Sequence, residues 1–232
     1  MNRRIAVIIP AYNEEHTVGE VVKGVKALGR DFDVVVINDS SRDRTARSAE
    51  EAGATVIELP YNLGIGGAVQ TGYKYAVVKG YDGCVQVDGD GQHPPAEILK
   101  VLEPLFAGDR DMIIGSRFAG ETNYRIPPMR ALGIRIISLF LRVACGMKVR
   151  DTTSGFRALN RRAMTFFATE YPQDYPEPES LLFAHRKKFK IMEVPVEMKD
   201  REHGISSITP FRAVYYMTKV LLAMTVDLFR TF

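Results

Sequence analysis

Residues 84–95, CVQVDGDGQHPP, decide how the fold and its chemistry are interpreted. The apolar run Cys84–Val87 predicts a short buried strand, and the glycines and aspartates behind it predict a tight turn. Asp88 and Asp90 are separated by one glycine, so both carboxylates can reach one hard cation such as Mg²⁺ or Mn²⁺, and Gln92 offers a further oxygen. An acidic turn without a ligand is the alternative, because such turns are common.

Strands and helices alternate on both sides of this stretch. The predicted strands are Ile5–Ile9, Val34–Ile37, Thr55–Leu59, Cys84–Val87 and Met112–Ile114. The predicted helices between them are Glu14–Leu28, Asp43–Ala52, Gly66–Lys79 and Pro95–Phe106. The alternation at short spacing predicts an α/β fold, with a mostly parallel central sheet and helices on both faces.

The second half of the chain has a less regular pattern. It predicts helices at Met129–Cys145 and Pro210–Phe229 and a strand at Lys190–Glu197. The proline-rich, acidic residues 171–180 predict a loop or a helix approach rather than the interior of an element. We expect a main domain over residues 1–205 and a C-terminal amphipathic helix within 206–232.

Composition limits the classes of protein to consider. The chain has 232 residues and a net charge of +3, so charge gives no reason to expect a nucleic-acid partner. Cys84 and Cys145 lie in apolar surroundings and are typical of reduced cysteines in a cytosolic protein. Pro10 and the pair Glu14-Glu15 end the first apolar run too early for a signal peptide. No uncharged apolar run reaches the roughly 18 residues of a membrane span.

Polar residues follow four of the predicted strands. Ligands of open parallel sheets bind beyond the carboxyl ends of the strands, so these residues should meet at one edge. The segments are Pro10–Glu14, Asn38–Ser41, Asp88–Gln92 and Gly115–Arg117. Their convergence predicts one ligand site, and the position of Asp88 and Asp90 within it favours a metal over an empty acidic turn.

Two nucleotide-binding patterns are missing. No G-x-G-x-x-G follows the first strand and no G-x-x-x-x-G-K-[ST] occurs, which argues against hydride transfer and P-loop hydrolysis. A nucleotidyltransferase is an alternative that also uses aspartates at strand ends, but its basic, glycine-rich loop after the first strand is absent. A non-catalytic binding module is a further alternative, against which the intact Asp88, Asp90 and Arg117 argue.

The chain resembles family 2 glycosyltransferases of the GT-A (Rossmann-like) fold. It is most similar to the branch that makes polyprenyl-phosphate sugars, as dolichyl-phosphate mannose synthases and bacterial undecaprenyl-phosphate glycosyltransferases do. The matching segments are VIIPAYNEE at 7–15, NDSSRDRT at 38–45, NLGIGGA at 62–68, QVDGDGQHPP at 86–95, GSRF at 115–118 and DTTSGFRAL at 151–159. The family often has two aspartates and a glycine where this chain has Asn38-Asp39-Ser40.

The resemblance implies a role for each group of site residues. The nucleotide sugar would be bound by Pro10, Tyr12, Glu14, Asp39, Asp88, Gly89 and Asp90. A divalent metal, Mg²⁺ or Mn²⁺, would be held by Asp88, Asp90 and Gln92. The acceptor phosphate would meet Arg117, Arg130 and Arg135, and the residues implied in catalysis are Asp90, Arg117 and Arg201.

The resemblance also implies the reaction. A hexose (glucose, N-acetylglucosamine or mannose) would pass with inversion from a UDP- or GDP-sugar to a polyprenyl phosphate, undecaprenyl or dolichyl. A phosphate acceptor is already anionic near neutral pH and needs no general base. Transfer to a sugar hydroxyl of a saccharide or glycolipid is the alternative, and it would need a base such as Asp151, Glu177 or Glu179.

A lipid acceptor requires access to a membrane. In the last helix Arg212, Lys219 and Arg230 form a basic stripe beside a broad apolar arc, and Arg135 and Arg142 share a face of helix 129–145. We therefore expect a peripheral protein on the cytoplasmic face of the membrane. Packing of these helices on the protein's own core or on a partner subunit is the alternative. A small membrane-protein partner and a homo-oligomer are further expectations.

Overall fold

The computed structural model describes residues 3–120, 128–199 and 210–229, and the side chains of 128, 130 and 210–216 lie outside that description. The described strands are β1 (Ile5–Ala11), β2 (Phe32–Asn38), β3 (Thr55–Glu58), β4 (Gly83–Gln86), β5 (Met112–Ser116), β6 (Arg157–Asn160) and β7 (Ile191–Pro195). The described helices are α1 (Val18–Lys26), α2 (Thr45–Glu51), α3 (Gly64–Val78), α4 (Glu97–Ala107), α5 (Pro128–Cys145), α6 (Arg161–Thr169), α7 (Pro176–Arg186) and α8 (Pro210–Phe229).

The strands form one seven-stranded sheet in the order β3-β2-β1-β4-β6-β5-β7. All neighbouring pairs are parallel except the two that involve β6, which runs antiparallel to β4 and to β5. Because β6 reverses direction between them, β4 and β5 still point the same way. The carboxyl ends of β1, β2, β4 and β5 therefore share one edge of the sheet, as predicted.

Apolar residues fill both faces of the sheet. One core layer packs side chains of α3, α5, α6, α7 and α8 against the sheet, for example Tyr73, Leu141, Phe167 and Leu182. The other packs side chains of α1, α2 and α4, such as Val22 and Ile98. The predicted α/β class, with a mostly parallel sheet covered on both faces, is confirmed.

Strand β6 and helix α6 have no counterpart in the sequence prediction. The sequence of β6 is RALN, and because it begins with a charged residue and has only four residues, it shows no hydrophobic pattern that would predict a strand. Arg157 is only 1% exposed, and its guanidinium donates to the carbonyl oxygens of Ser154 (2.8 Å) and Glu177 (2.7 Å). These bonds offset the cost of burying the charge.

Helix α7 decides between the two alternatives, a loop or a helix approach, predicted for residues 171–180. Pro176 is its first residue, so residues 171–175 lead into the helix and residues 176–180 belong to the start of its 11 residues. Proline is tolerated there because the first backbone N–H groups of a helix have no partner within the helix. Glu177 and Glu179 in the same turn interact favourably with the positive end of the helix dipole.

Helix α8 packs on the rest of the chain. Val220 and Met224 are fully buried in the core layer shared with α7 and α5. Arg186 Nη1 of α7 donates to the carbonyl oxygen of Asp227 at 2.6 Å. Among the described residues, no helix combines the length and the apolar character that crossing a bilayer requires.

Candidate active site

A cleft of about 490 Å³ opens at the carboxyl edge of β1, β2 and β4. It is lined by Pro10, Ala11, Tyr12, Glu14, Asp39, Asn62, Gly64, Ile65, Ala68, Asp88, Gly89, Asp90 and Glu177. Its volume is in the range of pockets that hold small ligands. All seven residues predicted to bind a nucleotide sugar line this one cleft, although their roles there stay predictions.

One wall of the cleft is made by the loops that follow β1 and β2. Tyr12 is 46% exposed, which leaves an aromatic face open to a ligand. Asn13 adopts a left-handed backbone with φ 56°. Its N–H donates to Ser41 Oγ at 2.9 Å, and its side-chain oxygen accepts from the N–H of Arg42 at 2.9 Å. These bonds hold the two loops together at the residue that follows Tyr12.

Asp39 has a structural partner at the start of α3. Its carboxylate accepts from the backbone N–H of Leu63 at 2.7 Å and of Gly64 at 2.9 Å. A carboxylate at this position satisfies N–H groups that have no partner within the helix and interacts favourably with its dipole. Asp39 is only 4% exposed. It therefore anchors the end of β2 to α3 as well as lining the cleft.

The turn after β4 places two carboxylates in the cleft. Burial raises the pKa of the Asp88 carboxyl, His93 lowers it, and the neighbouring Asp90 carboxylate raises it. A Cβ on Gly89 would lie 3.2 Å from the carbonyl oxygen of Pro10, so glycine lets this turn pack tightly against β1. The two carboxylates thus lie close enough for the charge of Asp90 to raise the pKa of Asp88.

His93 lies behind this turn. It is 2% exposed, its ring stacks on Phe156 at 4.9 Å, and its Nδ1 is 3.6 Å from Asp88 Oδ2. Neither ring nitrogen has a hydrogen-bond partner among the described residues. No role for His93 is predicted from the sequence, although it lies within the same QHPP segment as Gln92.

The donor set suits Mg²⁺ or Mn²⁺. Both ions prefer oxygen ligands, and Mg²⁺ is commonly held by one or two carboxylates plus substrate phosphates. Asp88 and Asp90 supply such a pair, and a bound cation would offset the repulsion between their like charges. Within the described part of the chain, no cluster of three or more His, Cys, Asp or Glu residues could hold a metal by itself. The remaining ligands would come from the substrate and water.

The predicted metal ligand Gln92 is held by two hydrogen bonds next to the cleft, and its role as a ligand stays a prediction. Its side-chain nitrogen donates to the carbonyl oxygen of Lys199 at 3.3 Å, and its backbone N–H donates to Asp90 Oδ1 at 3.1 Å. It is not among the residues that line the cleft. In this conformation it braces Asp90 and the end of the 196–199 segment.

Arg117 is buried in an ion pair. It is 3% exposed, and it donates from Nε to Asp151 Oδ2 at 2.8 Å and from Nη2 to Oδ1 at 2.6 Å. Its backbone N–H also donates to Asp151 Oδ2 at 3.0 Å, and Asp151 is fully buried. Because both carboxylate oxygens accept from Arg117, Asp151 has the bonding of a structural partner and not of a base facing a substrate.

Of the other three predicted arginines, the structure describes only the side chain of Arg135. Arg135 is exposed on α5. Arg130 belongs to α5, but its side chain lies outside the description, and Arg201 lies outside the described residues altogether. The structure thus brings together the predicted nucleotide and carboxylate residues, but it does not show these three arginines beside the cleft.

Glu177 lines the cleft, although the rule that ligands bind beyond the carboxyl ends of the strands does not predict it. It lines the cleft from the first turn of α7, far along the chain from the strand ends. Burial raises the pKa of its carboxyl, Arg157 lowers it, and the charge of Asp88 raises it. No site role is predicted from the sequence for Asn62, Gly64, Ile65 and Ala68. Asn62 lies in the loop after β3, where the strand-end rule could have placed it, whereas the other three belong to α3.

Comparison with known proteins agrees with this geometry. The sequence model of glycosyl transferase family 2 matches residues 6–166, well over half of the chain. The chain belongs to glycosyl transferase family 2. This confirms the family inferred from the six sequence segments.

Two proteins similar to this chain have assigned activities. The chain is 28% identical to the UDP-N-acetylglucosamine–dolichyl-phosphate N-acetylglucosaminyltransferase of Methanococcus voltae, over 97% of this chain and 99% of that protein. It is 30% identical to the undecaprenyl-phosphate mannosyltransferase of Micrococcus luteus, over 89% of this chain and 88% of that protein. Two proteins with these activities therefore match the chain over almost their whole length.

A solved structure with the same fold is glucosyl-3-phosphoglycerate synthase of Mycobacterium tuberculosis, in complex with Mn²⁺, uridine diphosphate and glucosyl-3-phosphoglycerate. It superposes with a TM-score of 0.75 at 21% identity, covering 97% of this chain and 80% of that one. At this identity the likeness supports the fold alone.

Proposed function

We propose that this family 2 chain is an inverting glycosyltransferase that moves a hexose from a nucleotide diphosphate sugar to a polyprenyl phosphate. The observation that carries the proposal is the cleft in which Asp88 and Asp90 lie beside Tyr12 and Asp39. It offers an aromatic surface for a base and a carboxylate pair for a metal-bound diphosphate. The dolichyl- and undecaprenyl-phosphate acceptors named for two relatives support the acceptor class.

The carboxylates would serve the leaving group. Asp88 and Asp90 would hold Mg²⁺ or Mn²⁺, and the bound metal would neutralise negative charge that develops on the departing nucleoside diphosphate. Gln92 would join them through its side-chain oxygen, since its bond to the carbonyl oxygen of Lys199 uses the side-chain nitrogen. Tyr12, Pro10 and Glu14 would position the nucleotide, which raises the rate by orientation.

The acceptor phosphate needs positioning rather than activation. A phosphate monoester has a second pKa near 6, so most of it is a dianion at neutral pH. Arg117 lies near enough to the cleft for its charge to lower the pKa of both Asp88 and Glu177. Its ion pair with Asp151 holds this charge at a fixed position. Arg130, Arg135 and Arg201 are proposed to complete the phosphate-binding set.

Transfer to a sugar hydroxyl remains a second candidate because of Glu177. A hydroxyl acceptor needs a general base, and such a base contributes a rate factor of about 10²–10⁴. Asp151 is occupied by Arg117, whereas Glu177 lines the cleft. Glu177→Gln should lower kcat by less than about tenfold with a phosphate acceptor, because no base is then needed. A loss of a hundredfold or more would favour the hydroxyl acceptor.

The direct test is transfer by the purified full chain. UDP- and GDP-linked glucose, N-acetylglucosamine and mannose would be incubated with undecaprenyl phosphate and Mg²⁺ or Mn²⁺, and the lipid product would be detected by mass spectrometry. Asp90→Asn should abolish product formation, and Glu51→Gln on the exposed surface should not. The proposal is wrong if no donor yields a lipid-linked sugar, or if Asp90→Asn retains the full rate.

Domain use and location complete the proposal. Residues 1–205 would form the catalytic domain, and 206–232 would contribute a helix for membrane or partner contact. The protein would act peripherally on the cytoplasmic face of the membrane. Free Cys84 and Cys145 support a reducing compartment. Release from isolated membranes by high salt would test the peripheral location. Cross-linking before release would test for a small membrane partner or a homo-oligomer.

A further inference from the structure

The imidazole of His93 is a buried polar group without a hydrogen bond. The residue is 2% exposed, and neither Nδ1 nor Nε2 has a hydrogen-bond partner in the part of the chain that the structure describes. A buried polar group in this state has lost its bonds to water and destabilises the fold. A phenylalanine would fill similar space without that cost. Packing alone therefore does not account for a histidine at this position.

The neighbours of the imidazole hold it beside Asp88. The ring stacks on the fully buried Phe156, with centroids 4.9 Å apart and 17° between the ring planes. Pro94 follows His93 directly, and a residue before proline has few backbone conformations open to it. His93 Nδ1 lies 3.6 Å from Asp88 Oδ2, which is too long for a hydrogen bond. A movement of the carboxylate by about 0.5 Å would form that bond.

The carboxylate of Asp88 has a second buried polar neighbour in Gln86. The side chain of Gln86 is hydrogen-bonded to Asp88, and its oxygen accepts from Tyr73 Oη at 3.2 Å. Gln86 is 1% exposed. A Cβ on Gly155 would lie 3.1 Å from Asp88 Oδ1, so the backbone at this glycine bounds the carboxylate closely. The carboxylate therefore has little room to move, and a further donor would fix its orientation.

We propose that His93 is a positioning residue for the metal site, which donates from Nδ1 to Asp88 and holds that carboxylate in the orientation that binds the divalent cation. Groups that orient a metal ligand raise the affinity for the metal, and their loss typically lowers it about 10–100-fold. A neutral imidazole can act as this donor, because one of its ring nitrogens carries a hydrogen. The inference rests on the cation that the proposed function assigns to Asp88 and Asp90.

Replacing His93 should change stability and metal affinity in opposite directions. His93→Phe keeps a ring against Phe156 and removes two unpaired nitrogens, so the metal-free protein should be at least as stable as the wild type. The same variant lacks the donor to Asp88 and should bind the metal more weakly. His93→Asn places a side-chain nitrogen near the position of Nδ1, so it should keep the affinity while the lost ring volume lowers the stability. A histidine that only fills space would leave the metal affinity unchanged in every variant.

Titration of the full chain with Mn²⁺, followed by electron paramagnetic resonance, measures the metal affinity without any transfer reaction. It would be run with Mn²⁺ alone and with UDP or GDP, and the melting temperature of the metal-free protein would be recorded beside it. His93→Phe should raise the Kd for Mn²⁺ at least about tenfold, and His93→Asn should stay within about threefold of the wild type. His93→Leu has nearly the shape of the asparagine variant without its donor, and it should bind as weakly as His93→Phe. His185→Phe is the control, since His185 is exposed in the last turn of α7.

Two results would overturn the role of His93 alone. They are phenylalanine and leucine variants that bind Mn²⁺ as the wild type does, and an asparagine variant that binds as weakly as the leucine variant. Wild-type protein that binds no Mn²⁺ with either nucleotide would overturn both this role and the metal of the proposed function. If Mn²⁺ affinities follow the expected order but no donor yields a lipid-linked sugar, the proposed function is refuted and the role of His93 stands.

Discussion

Replacing Asp151 by asparagine should destabilise the protein strongly, because it leaves the Arg117 guanidinium buried without its counter-charge. Arg117 is 3% exposed and Asp151 is fully buried, and three hydrogen bonds join them. Removing one partner of a buried ion pair typically costs about 3–5 kcal/mol. That is a large share of the roughly 5–15 kcal/mol by which a folded domain is stable. At this chain length it corresponds to a fall in melting temperature of about 10 °C.

Urea denaturation followed by circular dichroism measures the loss. Glu51→Gln is the matched control, because Glu51 pairs with Arg47 at 2.8 Å with both side chains largely exposed. An exposed pair of this kind contributes about 0.3–0.5 kcal/mol. The double variant Arg117→Met, Asp151→Leu should recover most of the stability, since it leaves no unpaired charge buried. A loss of under 1 kcal/mol for Asp151→Asn, as small as that of the control, would refute the reasoning.

Three further predictions concern the cleft. Tyr12→Ala should weaken binding of the nucleoside diphosphate about tenfold in calorimetry, since stacking of a base on an aromatic ring contributes about 1–3 kcal/mol; unchanged affinity would remove Tyr12 from the site. Asp39→Asn should lower the free energy of unfolding by about 1–2 kcal/mol, because it weakens the cap on α3, and an unchanged urea midpoint would contradict this. Because burial raises the pKa of Asp88 in the folded protein, its carboxyl group contributes to stability at low pH. This contribution is lost as the pH rises through the folded pKa. In metal-free protein, Asp88→Asn should therefore raise the melting temperature at about pH 8, with the gain shrinking toward pH 4, and a gain that grows on acidification would show the opposite sign.

The carboxylate turn shows how far the sequence could be interpreted. Asp88 and Asp90 follow a buried strand directly, so a local pattern and the strand-end rule were enough to place them in a ligand site. Tyr12 and Asp39 were predicted in the same way, and all four line one cleft. Their chemical roles are not tested by this agreement, since the strand-end rule predicts position and not what is bound.

Segments without a local pattern were missed. A charged residue is unusual in a central strand, but Arg157 is accommodated in β6 by hydrogen bonds to distant carbonyl oxygens. Proline is unusual inside a helix, but Pro176 is accommodated because it is the first residue of α7. Hydrophobic periodicity cannot detect a buried arginine, because its stability comes from carbonyl oxygens elsewhere in the chain.

The sequence by itself determined the α/β fold, the family and the edge of the sheet at which the site lies, because alternating apolar segments and the residues after them are local properties of the chain. Only the tertiary structure decided that Asp151 holds Arg117, that Glu177 reaches the cleft, and that His93 stacks on Phe156. Each of these depends on which distant segments pack together, and a contact between such segments leaves no periodic signal in the sequence.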